Sequence, residues 1–403
     1  VKHHNKSFCI LPWIQVSTTI NGHARTCGLC KERGATLSKT PLTEAWNSDY
    51  FKQVRRKMLN DEMPSNCDTC YYLEQIGGDS KREIDTVHWE RIFNVQDLLN
   101  QTNEDGSVNY MPHILDVRTG NTCNLKCIHC FTSNSSKWYE DKEMLDQYTN
   151  LQNVGMNELW KENLGNVWEF ISEHGDNLHL ISLIGGEPLA AKSHKKILQA
   201  LLDRGAGGIN LRYISNGTLV TKDFLNKLKE FKSVNFTVSL DVAGPKHNHF
   251  RFPSRWEKFR DNLQLLNDET ADSNIHAQTQ WTAHNIGIMY LDETFDYMKE
   301  FSNLQFNFGC YVEDPAHFHC ATLPQDAKEE IKARLEAHPF SDDVRPFVDM
   351  YIGHMMSKDM WSEHKQTLRR YMDQLDTVRG VNWRSVYPEL AYYVDRDTVA
   401  EVV

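Results

Sequence analysis

The stretch Leu115-Asp116-Val117-Arg118-Thr119-Gly120-Asn121-Thr122-Cys123-Asn124-Leu125-Lys126-Cys127-Ile128-His129-Cys130 decides how the rest of the chain is read. Its opening continues a short alternating run, His113 to Arg118, that predicts a β-strand. Directly after that strand come three cysteines spaced Cys-x3-Cys-x2-Cys. Three thiolates on one loop can hold three irons of a cubane and leave the fourth iron open to a chelating ligand. Zinc instead takes four closed ligands, or three plus water, usually from paired cysteines. His129, inside the loop, reads as a structural or solvated histidine rather than a ligand.

Outward from this loop, strand-like runs alternate with helical ones. Strands are predicted at 113–118, 178–184, 209–215, 234–240, 275–284 and 304–312, with helical segments between them. This order predicts an α/β fold with a parallel sheet, either doubly wound or a partial (β/α)6 barrel. In the fourth run Asn235, Thr237, Ser239 and Asp241 alternate with apolar residues. In the fifth, His276, Gln278, Gln280, Thr282 and His284 share one face, because side chains alternate with period two. Outer helices demand apolar contacts, so the polar rows are expected to point into a wet cavity. One solvent-exposed sheet face is the plainer alternative.

Two strand ends carry further signals. Leu183-Ile184-Gly185-Gly186-Glu187-Pro188 closes the second strand with glycines, which let a backbone approach a ligand closely, and a carboxylate that can accept from an ammonium group. Asn216, in Ser215-Asn216-Gly217-Thr218, and Ser239 with Asp241 end the third and fourth strands, where parallel sheets place their ligand crevice. Turn and capping roles explain the same residue types.

Taken together, these motifs resemble the radical S-adenosylmethionine (SAM) superfamily. The resemblance implies that Cys123, Cys127 and Cys130 bind a catalytic [4Fe-4S] cluster whose open iron is chelated by SAM. It further implies that Gly185, Gly186, Glu187 and Pro188 receive the SAM amino group, and that Asn216, Ser239, Asp241 and Gln280 contact the cofactor. The activity implied is reductive cleavage of SAM to a 5'-deoxyadenosyl radical that abstracts hydrogen from a substrate, with an external one-electron reductant.

Five of the ten cysteines lie in the first 110 residues: Cys9, Cys27, Cys30, Cys67 and Cys70. Two Cys-x2-Cys pairs could close a zinc site, although the gap between them is wide. The set Cys9, Gly22-x4-Cys27 and Cys67-x2-Cys70 resembles SPASM/twitch auxiliary [4Fe-4S] domains, which implies Cys9, Cys27, Cys67 and Cys70 as ligands and leaves Cys30 spare. Such elements usually follow the core; here the set precedes it. The expected organisation is therefore an auxiliary-cluster region at 1–110, a core at 111–320 and a helical cap at 321–403, with the polar turn-forming stretch 101–109 as first boundary. Cys310 reads as a buried thiol, and Cys320 as a residue near the crevice mouth.

The 403 residues, 40% of them hydrophobic, can supply a full core, and a formal charge of -11 disfavours nucleic-acid or anionic-membrane partners. No apolar run reaches membrane-span length, and the first residues lack a signal-peptide pattern, so a cytoplasmic location is expected, with metal-bound rather than disulfide-bonded cysteines. Auxiliary-cluster relatives imply a peptide or protein substrate, with a small molecule or nucleotide as the alternative. A non-catalytic zinc-stabilised binding module is the competing reading from another class.

Overall fold

The computed structural model describes residues 6–75, 77–148, 164 and 166–396, and for Cys310 the backbone only, so the expected burial of that thiol lies outside the described side chains. The fold is α/β. Its strands are β1 (Gln15–Thr18), β2 (Ala24–Arg25), β3 (Ile114–Arg118), β4 (Leu180–Ile184), β5 (Asn210–Ser215), β6 (Ser233–Ser239), β7 (Ile275–Ala283) and β8 (Gln305–Tyr311). They form one eight-stranded sheet in the order β2-β1-β3-β4-β5-β6-β7-β8. The six strands from β3 onward fall within two residues of the predicted runs. Helices separate them, giving the β/α repeat of a partial barrel. The two N-terminal strands carry no alternation: every residue of β1 is buried, and β2 has only two residues.

The chain divides into two compact units, one built from 1–123, 154–214 and 226–235, the other from 124–153, 215–225 and 236–403. In the first, β1 runs parallel to β3 with Gln15 opposite Ile114, and β2 is antiparallel to β1. The N-terminal cysteine region thus contributes strands to the sheet. The stretch 101–109, predicted as a boundary, is a packed turn in which Thr102 and Val108 bridge. Arg55, fully buried on the helix Asp49–Leu59, fastens that turn by donating to the carbonyl of Gly106 at 3.2 Å, as well as to those of Trp46 at 3.0 Å and Pro12 at 2.9 Å. Its guanidinium also lies 4.2 Å from the Trp46 ring centroid. The buried cation that docks the turn has no local sequence signal.

Parallel pairing brings Ser17, Asp116, Ser182 and Arg212 into one register across β1, β3, β4 and β5. Ser17 Oγ donates to Asp116 Oδ2 at 2.9 Å, and Arg212 Nε to Ser182 Oγ at 3.1 Å. In the second unit, β7 buries Ile275, Ala277, Thr279, Trp281 and Ala283, while Gln278, Gln280 and Thr282 are half-buried and His276 is exposed. Trp281 packs at 5.1 Å from Tyr351 of the helix Arg345–Met356. The helix Trp361–Arg379 buries Leu368, Tyr371, Met372 and Leu375, and the tail places Trp383 and Tyr387 in the same core. No helix among the described residues is long and apolar enough to cross a membrane.

Candidate active site and thiol cavity

In the first unit, the loop leaving β3 is laced to the turn leaving β4. The Thr119 amide donates to the Ile184 carbonyl at 2.8 Å, Gly186 to Gly120 at 2.9 Å, and Glu187 to Thr122 at 2.7 Å. A Cβ on Gly185, whose φ is +139°, would stand 2.7 Å from the Gly120 carbonyl oxygen, and one on Gly186 only 2.4 Å from that of Thr122. Both glycines are therefore required by the backbone of the loop that leads to Cys123. Glu187 is fully buried and accepts from the Leu189 amide at 3.1 Å, and Pro188 is buried beside it.

In the second unit, residues 126–128 run against 250–252. The Ile128 amide donates to Phe250 O at 3.0 Å, and that of Lys126 to Phe252 O at 2.5 Å. This pairing places Arg251 beside Cys127, with Nη1 at 3.9 Å from Sγ. The other side of the guanidinium donates through Nε to Asp241 Oδ2 at 2.6 Å, and both residues are buried. His284 is buried with its Nδ1 accepting the Gly287 amide at 2.9 Å, so its proton sits on Nε2, 3.8 Å from Asp241 Oδ1. The His129 ring stacks on that of His284 at 5.8 Å. Burial pushes His129 down and His284 down to about 3, leaving both imidazoles neutral near pH 7. Burial also opposes the Asp241 charge, yet its carboxyl stays below the ordinary range; with the imidazoles uncharged, Arg251 is the effective counter-charge.

The other predicted positions in this unit have mixed fates. Asn216, on the turn after β5, is committed to local bonds: its amide donates to Asn124 Oδ1 at 2.8 Å and its oxygen accepts from Thr218. It thereby ties the turn to the cysteine loop. Ser239 and Gln280 are half-buried at the end of β6 and within β7. Cys127 and Cys130 are also half-buried. Arg251 carries no signal in the sequence, and His284 is legible there only as part of the polar face of the fifth strand run, because nothing in their spacing relates them to Cys127 or Asp241.

Cys9, Cys27, Cys30, Cys67 and Cys70 all line one cavity of the first unit. Cys30, which the resemblance left spare, lies among the others: its Sγ is 3.4 Å from Cys27 Sγ and 2.9 Å from Thr26 Oγ1. Burial pushes the Cys9 thiol well up, and the hydrogen bond from Cys30, with burial, pushes up Cys27. A tetrahedral zinc ion with Zn–S near 2.3 Å would gather its sulfurs to roughly 3.8 Å from one another. Among the described residues, the one group of three or more donors that all lie within 4.8 Å is Glu313, His319 and His354. Cys27 and Cys30 stand close together, but among the described residues no three of these thiols lie within 4.8 Å of one another.

That histidine group has the wrong proton arrangement for a metal. His319 Nδ1 accepts the Ala321 amide at 2.9 Å, so the proton sits on Nε2, which faces Glu313 at 3.5 Å. A ligating imidazole needs the reverse, its free N–H given to an acceptor. Cys320 is fully buried, and burial pushes its thiol up, as for an inert structural cysteine.

The chain is thus an α/β protein with a three-cysteine loop following a parallel strand. Residues 117–302 match the family model of the Radical SAM superfamily. A curated relative, AdoMet-dependent heme synthase of Methanosarcina barkeri (strain Fusaro / DSM 804), is 25% identical over 180 residues, which cover 44% of each chain. The chain therefore spans less than half the length of that relative. Among solved structures, Streptococcus suis SuiB bound to S-adenosylmethionine is similar with a TM-score of 0.39 and 16% identity, over 67% of this chain and 57% of that one. Native anSMEcpe with bound AdoMet and Cp18Cys peptide gives a TM-score of 0.35 and 19% identity, over 55% and 58%.

Proposed function

We propose that the chain is a radical SAM enzyme whose Cys123, Cys127 and Cys130 hold a [4Fe-4S] cluster. The observation that carries this reading is the lacing of Gly185 to Glu187 onto the 119–122 backbone, which joins the two family elements and fixes the path into Cys123. The donor set fits the group: three thiols on one loop leave one iron without a protein ligand. With cluster and SAM bound, one electron from an external reductant would yield methionine and a 5'-deoxyadenosyl radical able to take a hydrogen atom from substrate. The chain's own share is positional. Gly185 to Pro188 would present carbonyls to the SAM ammonium, while Ser239, Asp241, Gln280 and Asn216 would line or brace the remainder of the cofactor site. The half-buried polar row on β7 would face the substrate.

The spacing of the thiols, no three of them within 4.8 Å of one another, supports an auxiliary [4Fe-4S] cluster on Cys9, Cys27, Cys67 and Cys70 over zinc, with 1–110 as auxiliary region, 111–320 as core and 321–403 as cap. The likeness to auxiliary-cluster enzymes favours a peptide or protein substrate. Anaerobically purified protein should contain iron and sulfide near two cubanes and, with dithionite and SAM, release 5'-deoxyadenosine. Zinc alone, or a cluster-loaded protein that releases none where a known enzyme does, overturns the proposal. A candidate peptide that gains a mass change during turnover would support the substrate class; turnover with small molecules alone would replace it.

A further inference from the structure

Arg251 is a buried cation with two partners, a carboxylate on one side and a cysteine sulfur on the other. Arg251 is 6% exposed and Asp241 is fully buried. Its location is dictated by backbone: the amides of Lys126 and Ile128 donate to the carbonyls of Phe252 and Phe250, so the residues between them, Cys127 and Arg251, must face each other. Asp241 then fixes the guanidinium through Nε at 2.6 Å and leaves Nη1 toward Cys127 Sγ at 3.9 Å. The planar fork of arginine suits such two-sided use, which a lysine ammonium cannot reproduce. A guanidinium is not deprotonated in proteins, and Asp241 pairs with it at 2.6 Å, so Arg251 is a cation.

We infer that Arg251, held by Asp241, is a positioning residue for electron entry: its charge beside Cys127 sets the reduction potential of the cluster on the 123–130 loop. The inference rests on the cluster assignment proposed above. Hydrogen bonds to the sulfurs, net charge and burial are the levers by which a protein tunes an iron-sulfur centre. Reduction adds negative charge to the cluster, and a neighbouring cation stabilises the reduced form, while Asp241 offsets part of that effect. Removing the cation should lower the potential, and removing the anion should raise it. A purely structural ion pair predicts no such opposition, because loss of either partner loosens the same contact.

The test is a dye-mediated redox titration followed by electron paramagnetic resonance, reading the reduced-cluster signal that changes on SAM addition so that an auxiliary centre is not counted. Arg251→Gln should titrate at a more negative potential than the wild type, Asp241→Asn at a more positive one, and Arg251→Lys between Arg251→Gln and the wild type. Iron content and circular dichroism accompany each variant. If Arg251→Gln cannot hold the cluster, Arg251→Lys and Asp241→Asn decide by the same opposed signs. Shifts of the same sign, or unmoved potentials in iron-replete variants, overturn the inference while leaving the enzyme assignment intact. Wild-type protein with no SAM-responsive cluster signal overturns the assignment itself.

Discussion

Gly186 has no room for even a methyl group, because a Cβ there would meet the Thr122 carbonyl at 2.4 Å. Gly186→Ala must therefore push the glycine turn off the loop that carries Cys123. The expected outcome is a SAM affinity at least about tenfold weaker, near 1.4 kcal/mol, by equilibrium dialysis against the iron-replete protein. Wild-type affinity in that variant would show the turn and loop to be independent. At the same scale, the five thiols of the N-terminal cavity are not equivalent. Cys27→Ser should lose the auxiliary iron, and Cys30→Ser should keep it; iron retained without Cys9 but lost without Cys30 would exchange their roles. The glycines and cysteines were legible in the sequence because their chemistry is local. Arg251 was not, since its meaning comes from a sulfur 124 positions away.

Two helices show how elements hold these loops. The helix Trp361–Arg379 reaches the cysteine loop with Tyr371 Oη donating to the Ile128 carbonyl at 2.7 Å and Arg379 Nη2 to that of Lys126 at 2.5 Å. Tyr371→Phe leaves that buried carbonyl without the hydroxyl and should cost about 1 kcal/mol in urea unfolding, together with faster loss of iron to a chelator. The helix Asp49–Leu59 does comparable work through Arg55. Arg55→Ala strands the carbonyls of Pro12, Trp46 and Gly106 at once, and should destabilise by about 3 kcal/mol or more. A loss below about 1 kcal/mol would mean that water replaces the guanidinium. Neither helix advertises these roles in sequence: amphipathic spacing reports which face is buried, not which carbonyls a long polar side chain will reach.

At the scale of the whole molecule, buried neutral histidines couple stability to pH. Burial pushes His247, His249 and His317 down to about 3, against about 6.5 in an unfolded chain. Between those values the unfolded chain binds more protons than the folded one, so stability is full above pH 6.5 and is lost as the pH falls toward 3. The unfolding free energy from urea titrations should fall between pH 7.5 and pH 5, by up to about 2 kcal/mol per histidine. The His317 ring packs at a tilt on Tyr371, with centroids 4.9 Å apart, so His317→Phe preserves an aromatic contact while removing one titrating group, and should flatten that slope. An unchanged slope would place the acid sensitivity elsewhere.

The sequence by itself determined the six strands from β3 onward, the order of β/α units, the cysteine loop and the thiol set, because period-two alternation and fixed spacings are written in neighbouring residues. Tertiary structure alone decided that β1 joins the sheet beside β3, that the 101–109 turn is docked on Arg55, that Cys30 stands among the other thiols, and that Asp241 grips Arg251 against Cys127. Each of these depends on a buried partner far along the chain. Only folding brings the charge and its counter-charge out of water together.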